Sequence, residues 1–438
     1  MKVSTVLIAI GGAVVIAAAG AYAYANRHPE IAAITPPSRD SLDASLVERG
    51  EMLAGIGNCA VCHTAEGGVP MSGGFGLPTP FGTIHSTNIT PDAETGIGSW
   101  SLEAFVRSMR KGVDREGRHL YPAFPYDFYT RVTDDDLEAI YAYLMSLEPV
   151  RAEAPANDLG FPFDQRILMA GWNLLFLDEG PKTDDPGKDD VWNRGRYLTE
   201  GLAHCAACHS PRNVLGAAVR SGDDAYSGGE AEGWYAPALN AQNHAPIGWN
   251  ADTLANYLID GWDRDHGIAA GPMMPISNDL YHQPEEEVVA IATYVADLMG
   301  SASGQSAGAP DSARQRAESL EFGAEDAPAL PTDPVLARGA EVFADQCAVC
   351  HRADTYTVPL ALTGSVNAPD ARNFIQTVMH GIQPAPAGSA DRFMPAKGLQ
   401  IGDDDLAALT AFVRGRFGPG DPWDKLDETV RSLREGAE

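Results

Sequence analysis

The first pattern along the chain is a nearly uninterrupted apolar run from Val3 to Ala25, flanked by Lys2 and Arg27. About 20 apolar residues suffice to span a bilayer as a helix, whereas a secretory signal core usually has about 7–15. The run therefore predicts an uncleaved membrane anchor within residues 1–27. The alternative is a cleaved signal, because Ala23-Tyr24-Ala25 fits a cleavage site. In both cases we expect the rest of the chain to be exported.

After this run, a set of amphipathic helical patterns occurs three times. Each copy opens with a helix containing Arg-Gly, and closes with three acids followed by a helix that bears an aromatic residue. The Arg-Gly pairs are Arg49-Gly50, Arg194-Gly195 and Arg338-Gly339, and the closing helices cover Leu137–Tyr143, Val288–Tyr294 and Leu406–Phe412. Acids favour a helix N-terminus, and glycine allows two helices to cross closely around the aromatic ring. The copies are therefore predicted to be diverged repeats.

A middle helix repeats as well, at Trp100–Gly112, Trp249–Gly261 and Ala371–Gly381, with glycine suited to the C-cap. Long Gly- and Pro-rich loops separate the helices. A chain of 438 residues has room for about three domains. The sequence thus predicts an all-α protein with three tandem domains at 41–150, 188–300 and 334–420.

Two further segments lie between these domains. Within residues 151–187, the stretch Phe161–Leu177 is apolar around most of its circumference, which is typical of a buried helix. Packing between the neighbouring domains is the favoured interpretation; docking to a partner subunit or a quinone contact at the membrane surface are the alternatives. Residues 301–333 are rich in Ala, Gly, Ser, Pro and acids, and are predicted to be a flexible linker. Residues 29–40 are predicted to be a short stalk.

Candidate chemistry comes from three C-x-x-C-H motifs, which use all 6 cysteines of the chain. The motif is typical of covalent c-type haem attachment, because one turn of helix places both cysteines and the histidine on one face. A zinc site would need four ligands, and a thioredoxin-like motif would not recur three times. We therefore predict three haem c groups, bound by Cys59, Cys62, Cys205, Cys208, Cys347 and Cys350, with His63, His209 and His351 as proximal iron ligands.

Methionine is the usual sixth ligand in high-potential cytochromes c. A Met-Pro pair before the closing helix is the expected pattern. It occurs as Met394-Pro395 in the third repeat and as Met273-Met274-Pro275 in the second. Met394 and Met273 are the predicted ligands, and Met274 is the alternative to Met273.

The first repeat departs from this pattern, since Phe124 occupies the corresponding position and phenylalanine cannot bind iron. Its haem is predicted to be five-coordinate or to use another residue. The alternatives are Met71, His85, Met109 and His119.

The formal net charge of −29 makes the chain a poor partner for nucleic acid. There is no G-x-G-x-x-G loop or other motif for a catalytic cofactor. The chain is therefore predicted to transfer electrons without substrate chemistry of its own. A free-standing multihaem carrier, or a peroxidase using a five-coordinate first haem, is the alternative.

The chain resembles the triple-haem cytochrome c subunits of bacterial membrane-bound alcohol, gluconate, fructose and aldehyde dehydrogenases. The resemblance covers about residues 45–420 and rests on several matching segments. They are the three haem motifs, Ser86–Asp92 with Thr95–Gly98, Leu120–Tyr126, Phe161–Phe176 and the Met394 region.

This resemblance implies three class I cytochrome c domains on the periplasmic side of the inner membrane. It also implies electron transfer from a catalytic dehydrogenase subunit, with a small iron-sulfur or accessory subunit in some complexes, to ubiquinone or a terminal acceptor. Alcohol and gluconate members carry Met where Phe124 stands here. The Phe form is more similar to cytochromes paired with molybdenum hydroxylases, which oxidise aldehydes or N-heterocycles, than to those of quinoproteins or flavoproteins.

Overall fold

The computed structural model describes Gly20 and residues 27–300, 309–355, 357–384 and 392–436. The predicted anchor within residues 1–27 lies almost entirely outside the described residues. Within the described ranges, no helix is both long and apolar enough to cross a membrane.

The chain divides into two compact units, Met1–Ala54 with Cys62–Lys182, and Gly55–Val61 with Thr183–Glu438. The first repeat lies mainly in the first unit, and the second and third repeats share the second unit. Polar contacts join the latter two: Arg372 pairs with Glu230 at 2.5 Å, and Asn373 and Tyr235 exchange two hydrogen bonds of 2.9 and 2.7 Å. No sequence pattern indicated these contacts, because they join residues about 140 positions apart.

Three kinds of helix recur in the described residues. The opening helices are Ala44–Ile56, Asp190–Tyr197 and Pro334–Gln346; the middle helices are Leu102–Lys111, Ala251–Asp260 and Arg372–His380; and the closing helices are Asp134–Ser146, Glu285–Leu298 and Asp403–Phe417. The other α-helices are Cys59–Cys62, Tyr126–Tyr129, Leu168–Phe176, Ala206–His209, Met273–Tyr281, Ala309–Leu320, Gly364–Asn367 and Leu426–Glu435. Short 3₁₀ turns lie at Arg39–Ser41 and Leu360–Leu362, and a π-helical turn at Leu198–Leu202 extends the second opening helix.

The long loops contain short antiparallel strands, which the all-α prediction did not include. One sheet has the order Gly76–Thr79, Gly82–His85 and Asp158–Leu159, and two hairpins pair Gly229–Ala231 with Trp234–Ala236 and Trp262–Asp263 with Gly267–Ile268. The protein is thus mostly helical rather than purely helical. These hairpins satisfy backbone hydrogen-bonding groups where a loop folds back on itself.

The predicted close crossing of opening and closing helices is confirmed in all three repeats. A Cβ atom on Gly50, Gly195 or Gly339 would overlap the carbonyl oxygen of the facing residue, which is Ala139, Ala290 or Ala408 respectively. The same Cβ would also lie 2.8, 2.9 or 2.6 Å from the Cβ of the aromatic residue, Tyr143, Tyr294 or Phe412. The two backbones therefore touch at a point that only glycine permits.

An ion pair accompanies each crossing. The arginine before the glycine bonds to the last of the three acids that begin the closing helix: Arg49 to Asp136, Arg194 to Glu287 and Arg338 to Asp405. The N–O distances are 2.5–2.8 Å, and each of the three arginines uses two nitrogens. Such paired contacts fix the rotation of one helix relative to the other.

The middle helices end as predicted. Gly112 and Gly261 lie in the left-handed region at φ 60° and 69°, and Gly381 has φ 71°. Residues with side chains rarely adopt these angles. Ser101 and Asn250 cap the N-termini of the first two middle helices.

The linker prediction for 301–333 is wrong for part of that segment, because Ala309–Leu320 is a helix. Ala317 is 1% exposed within the core of the third repeat, and Ala313 and Leu320 pack against the same core. Arg314 also forms two hydrogen bonds to Asp265, at 2.8 and 2.6 Å. Three apolar residues at spacings of four and three are enough to give one buried helix face, although the overall composition is polar.

The prediction that Phe161–Leu177 is buried is also wrong. Its helix, Leu168–Phe176, buries Trp172, but Leu174 is 85% exposed and Leu175 is 66% exposed. A nine-residue helix that docks through one face leaves the other face uncovered, even when both faces are apolar.

Replacing Gly339 with alanine tests the crossing. We expect Gly339→Ala to lower the free energy of unfolding by about 1–3 kcal/mol, the usual cost of overpacking. The matched control is Gly415→Ala in the closing helix, where nothing lies within 4 Å of the new Cβ. That variant should be neutral or more stable, because alanine favours helix. Urea unfolding followed by circular dichroism gives both values, and equal midpoints for the two variants would contradict the crossing.

Candidate haem sites

Each C-x-x-C-H motif forms about one helical turn. Cys59–Cys62 and Ala206–His209 are short helices, and the third motif begins at the C-cap of Pro334–Gln346. In the second and third motifs the histidine N–H donates to the carbonyl of the first cysteine at 2.9 Å. The two cysteines therefore lie on one face at i and i+3. All six cysteines are free of disulfides, as thioether attachment requires.

His63 and His209 are held in the same way by a backbone carbonyl. The Nδ1 atom of His63 lies 2.6 Å from the carbonyl oxygen of Thr87, and Nδ1 of His209 lies 2.6 Å from that of Pro237. A carbonyl oxygen only accepts hydrogen bonds, so Nδ1 carries the proton in both rings. The Nε2 atom is then unprotonated and available as a metal ligand, which is the arrangement usual for ligating histidines.

The carbonyl that holds His63 belongs to a loop fixed by its neighbour, Asn88. The Asn88 side chain is buried; it donates to the carbonyl of Val150 at 2.7 Å and accepts from the backbone and hydroxyl of Thr90 at 2.9 and 2.7 Å. This network ties the loop to the chain just after the closing helix. Asn88 therefore holds the loop whose Thr87 carbonyl contacts His63. The sequence segment Ser86–Asp92 contains Asn88 but does not by itself indicate this role.

An open cavity of about 460 Å³ lies after the end of the second motif. The three residues that follow His209, Ser210 to Arg212, line this cavity together with Tyr235 and Arg372. Cys205, Cys208 and His209 themselves do not line it.

His351 differs from the other two histidines. Its Nδ1 atom is buried and makes no hydrogen bond to any part of the chain that the structure describes. The third site thus lacks, among the described residues, the carbonyl contact that orients His63 and His209.

Burial also sets the protonation of these groups. It lowers the pKa of His63, His209 and His351, against the opposing effect of the carbonyl contacts of His63 and His209. Burial raises the pKa of the Cys205 thiol to about 12 and that of the Cys347 thiol to about 11. The imidazoles are therefore neutral at pH 7, as iron ligation requires.

Met394 is half-buried and packs against the core of the third repeat. It forms a two-hydrogen-bond bridge with Ile382, at 2.8 and 3.0 Å, just after the middle helix. Met394 packs against the same apolar core as Cys347 and Ala348 of the motif. The structure thus brings the predicted sixth ligand and the third motif to one core.

Met273 begins the helix Met273–Tyr281 and is half-buried, as is Met274. The preceding Gly271 has φ 54°, and a Cβ there would strike the Trp234 ring. The loop before Met273 is therefore tightly fixed, but the choice between Met273 and Met274 stays a prediction.

In the first repeat Phe124 belongs to an aromatic group. Its ring lies 6.3 Å from Tyr126 and 5.5 Å from Tyr129, measured between centroids. Of the alternative ligands, Met71, Met109 and His119 are buried, and His85 pairs with Gly76 in the hairpin. The structure brings four candidate side chains into the first unit without singling out one.

Taken together, the residues fit a covalently bound haem. The cysteine pairs share a helical face, and two of the histidines have a fixed tautomer with Nε2 available. Those contacts are what a ligating imidazole needs from its surroundings.

Comparisons with known proteins agree with this chemistry. The family model described as "Cytochrome c" matches residues 47–148, and that described as "Cytochrome C oxidase, cbb3-type, subunit III" matches residues 334–413. The chain is 36% identical to the gluconate 2-dehydrogenase cytochrome c subunit of Pantoea cypripedii, covering 90% of this chain and 91% of the relative. It is 34% identical to the fructose dehydrogenase cytochrome subunit of Gluconobacter japonicus, covering 92% and 85%.

The chain is also 44% identical to one of the nicotinate dehydrogenase subunits of Pseudomonas putida, over 92% of this chain. It spans only 33% of that relative's length. By contrast, the matches to the gluconate and fructose subunits cover most of this chain and most of the relative. The chain therefore belongs to the family of dehydrogenase cytochrome c subunits, which bind haem c covalently.

Proposed function

We propose that the chain is an electron-transfer subunit carrying three covalent haem c groups, which relays electrons from a partner dehydrogenase to ubiquinone or another terminal acceptor. The observation that supports this best is the repetition of one framework. Each of the three motifs follows an opening helix that crosses a closing helix at the same Gly–Ala contact. Three equivalent frameworks are what three equivalent prosthetic groups require.

In this proposal Cys59 and Cys62, Cys205 and Cys208, and Cys347 and Cys350 form the thioethers. His63, His209 and His351 are the proximal ligands, and Met273 and Met394 are distal ligands. The haems supply one-electron chemistry, and the protein sets their potentials through axial ligands, burial and hydrogen bonds. Carbonyl contacts to His63 and His209 keep those imidazoles in the ligating tautomer.

The proposed location is the periplasmic face of the inner membrane, with the apolar run from Val3 to Ala25 as anchor. The proposed partner is a molybdenum hydroxylase rather than a quinoprotein or flavoprotein. Two observations favour it: Phe124 at the methionine position, and an identity of 44% to the nicotinate dehydrogenase relative against 36% and 34% for the gluconate and fructose subunits.

Gentle detergent purification from native membranes tests the partnership. We expect a dehydrogenase polypeptide to co-purify in fixed stoichiometry, identified by mass spectrometry, and its substrate to reduce the haems. Repeated recovery of the intact chain alone would favour a free-standing carrier. Peroxide turnover by that chain would favour a peroxidase.

The haem count can be tested by removing one motif at a time. Cys205→Ser with Cys208→Ser should lower the covalent haem content from three to two per chain, because both thioethers of one group are lost. Intact mass under denaturing conditions measures this directly. The corresponding pairs at Cys59/Cys62 and Cys347/Cys350 serve as parallel variants. A wild-type chain with two haems, or a variant that keeps the wild-type number of haems, would contradict the proposal.

The ligand role of Met394 can be tested by comparing two substitutions. Met394→Ala should convert one haem to high spin and slow electron delivery to quinone, while the partner still reduces an artificial dye. Met394→His should keep that haem low-spin but lower its potential, because methionine ligation raises the potential. Electron paramagnetic resonance and redox titration provide the readouts. Spectra identical to wild type in both variants would show that Met394 does not bind iron.

A further inference from the structure

The first unit exposes several large apolar side chains along one short stretch. Phe161 is 84% exposed, Leu174 85%, Leu175 66%, Leu168 42% and Phe163 41%. We call these five residues the apolar strip. Contiguous exposed apolar side chains on a soluble domain usually mark an interaction surface.

The strip is held firmly from its inner side. Trp172 is buried, with its ring 5.9 Å from the Tyr126 ring in an edge-to-face arrangement. The Tyr126 hydroxyl donates to Asn173 Oδ1 at 2.5 Å, and Asn173 Nδ2 donates to the Lys111 carbonyl at 3.0 Å. The helix is therefore docked through one face, and its leucines are presented outward by a fixed support.

The stretch that contains the strip is linked through His119 to His28, one of the first described residues after the N-terminal apolar run. Arg166, within the stretch, donates to the His119 carbonyl at 2.9 Å. The His119 ring packs edge-to-face on the His28 ring, with centroids 5.2 Å apart. Arg107 also donates to the carbonyl of Pro29 at 2.7 Å. The start of the described chain is thus attached to the same surface as Arg166.

His28 is only three residues beyond Ala25, the last residue of the apolar run. Three residues reach at most about 11 Å when fully extended. Chain connectivity alone therefore keeps the predicted anchor within about this distance of His28.

The local charge is compatible with a lipid surface. Acids outnumber bases 60 to 31 in the whole chain. The stretch Arg107–Arg118, which contacts the N-terminal segment, instead carries five bases and two acids. Glu30, Asp134 and Glu179 pair with three of these bases, so the group as a whole is neutral. A neutral region does not repel the anionic head groups of a bilayer, as the acidic surface elsewhere on the chain would.

We propose that the apolar strip inserts into the interfacial layer of the lipid bilayer, next to the N-terminal anchor. This inference rests on the proposed membrane attachment and extends it. A single spanning helix leaves a domain free to tilt about its stalk. A second contact beside that helix fixes which face of the first repeat is turned toward the membrane.

A spin label on Leu174→Cys tests the proposal in native membranes containing the assembled complex. The six native cysteines are committed to thioethers in the proposed function, so the new thiol is the unique labelling target. Val214→Cys is the matched control, since Val214 is an aliphatic residue 93% exposed in the second unit. Collision rates with oxygen, which concentrates in lipid, and with a water-soluble nickel chelate are measured for both labels.

We expect the label at 174 to collide strongly with oxygen and to lose most of its collisions with nickel, with the opposite result at 214. Equal nickel access at both positions, in membranes where the partner's substrate still reduces the haems, would overturn the strip proposal alone. Exclusion of both reagents at 174 would also overturn it and indicate a covering protein. Recovery of the protein outside the membrane fraction would overturn the anchor and the strip together.

Discussion

The contact between one glycine and one alanine backbone, made three times, is the constraint on which the rest of this structure depends. At each crossing the opening and closing helices approach so closely that no side chain fits between them at Gly50, Gly195 or Gly339. The arginine beside the glycine then fixes the rotation of the pair. The motif cysteines come directly after the opening helix, so the crossing also determines where the predicted haem-binding residues lie.

The parts of the molecule that depend on local pattern could be predicted from the sequence. The Arg-Gly pairs, the acids before the closing helix and the aromatic residue within it repeat at similar spacings, and repetition separates a structural requirement from chance. The glycine that ends each middle helix was predictable because left-handed backbone angles favour that residue. Pairing of Arg194 with Glu287 rather than with Glu285 or Glu286 required the structure.

The features that the sequence did not reveal depend on backbone atoms or on a few widely spaced apolar side chains. The Thr87 and Pro237 carbonyls hold two of the histidines, but every residue has a carbonyl, so no residue type marks this role. The helix Ala309–Leu320 has a polar composition and buries one narrow face. The stretch around Leu174 was instead predicted to be buried and is exposed. A helix that is apolar on all sides is buried only where other elements cover each side. In each case the contact or the burial depends on residues that are distant in the sequence.

Each crossing also joins residues that are far apart along the chain. The paired residues are separated by 87 positions for Arg49 and Asp136, 93 for Arg194 and Glu287, and 67 for Arg338 and Asp405. The entropy lost in closing loops of these lengths differs by only about 0.3 kcal/mol, because it grows with the logarithm of length. No repeat is thus strongly favoured to close first on chain entropy alone. In each repeat the C-x-x-C-H motif lies about 50–80 residues before the closing helix. A chain synthesised from its N-terminus therefore exposes both cysteine thiols before the closing helix is available to form the crossing.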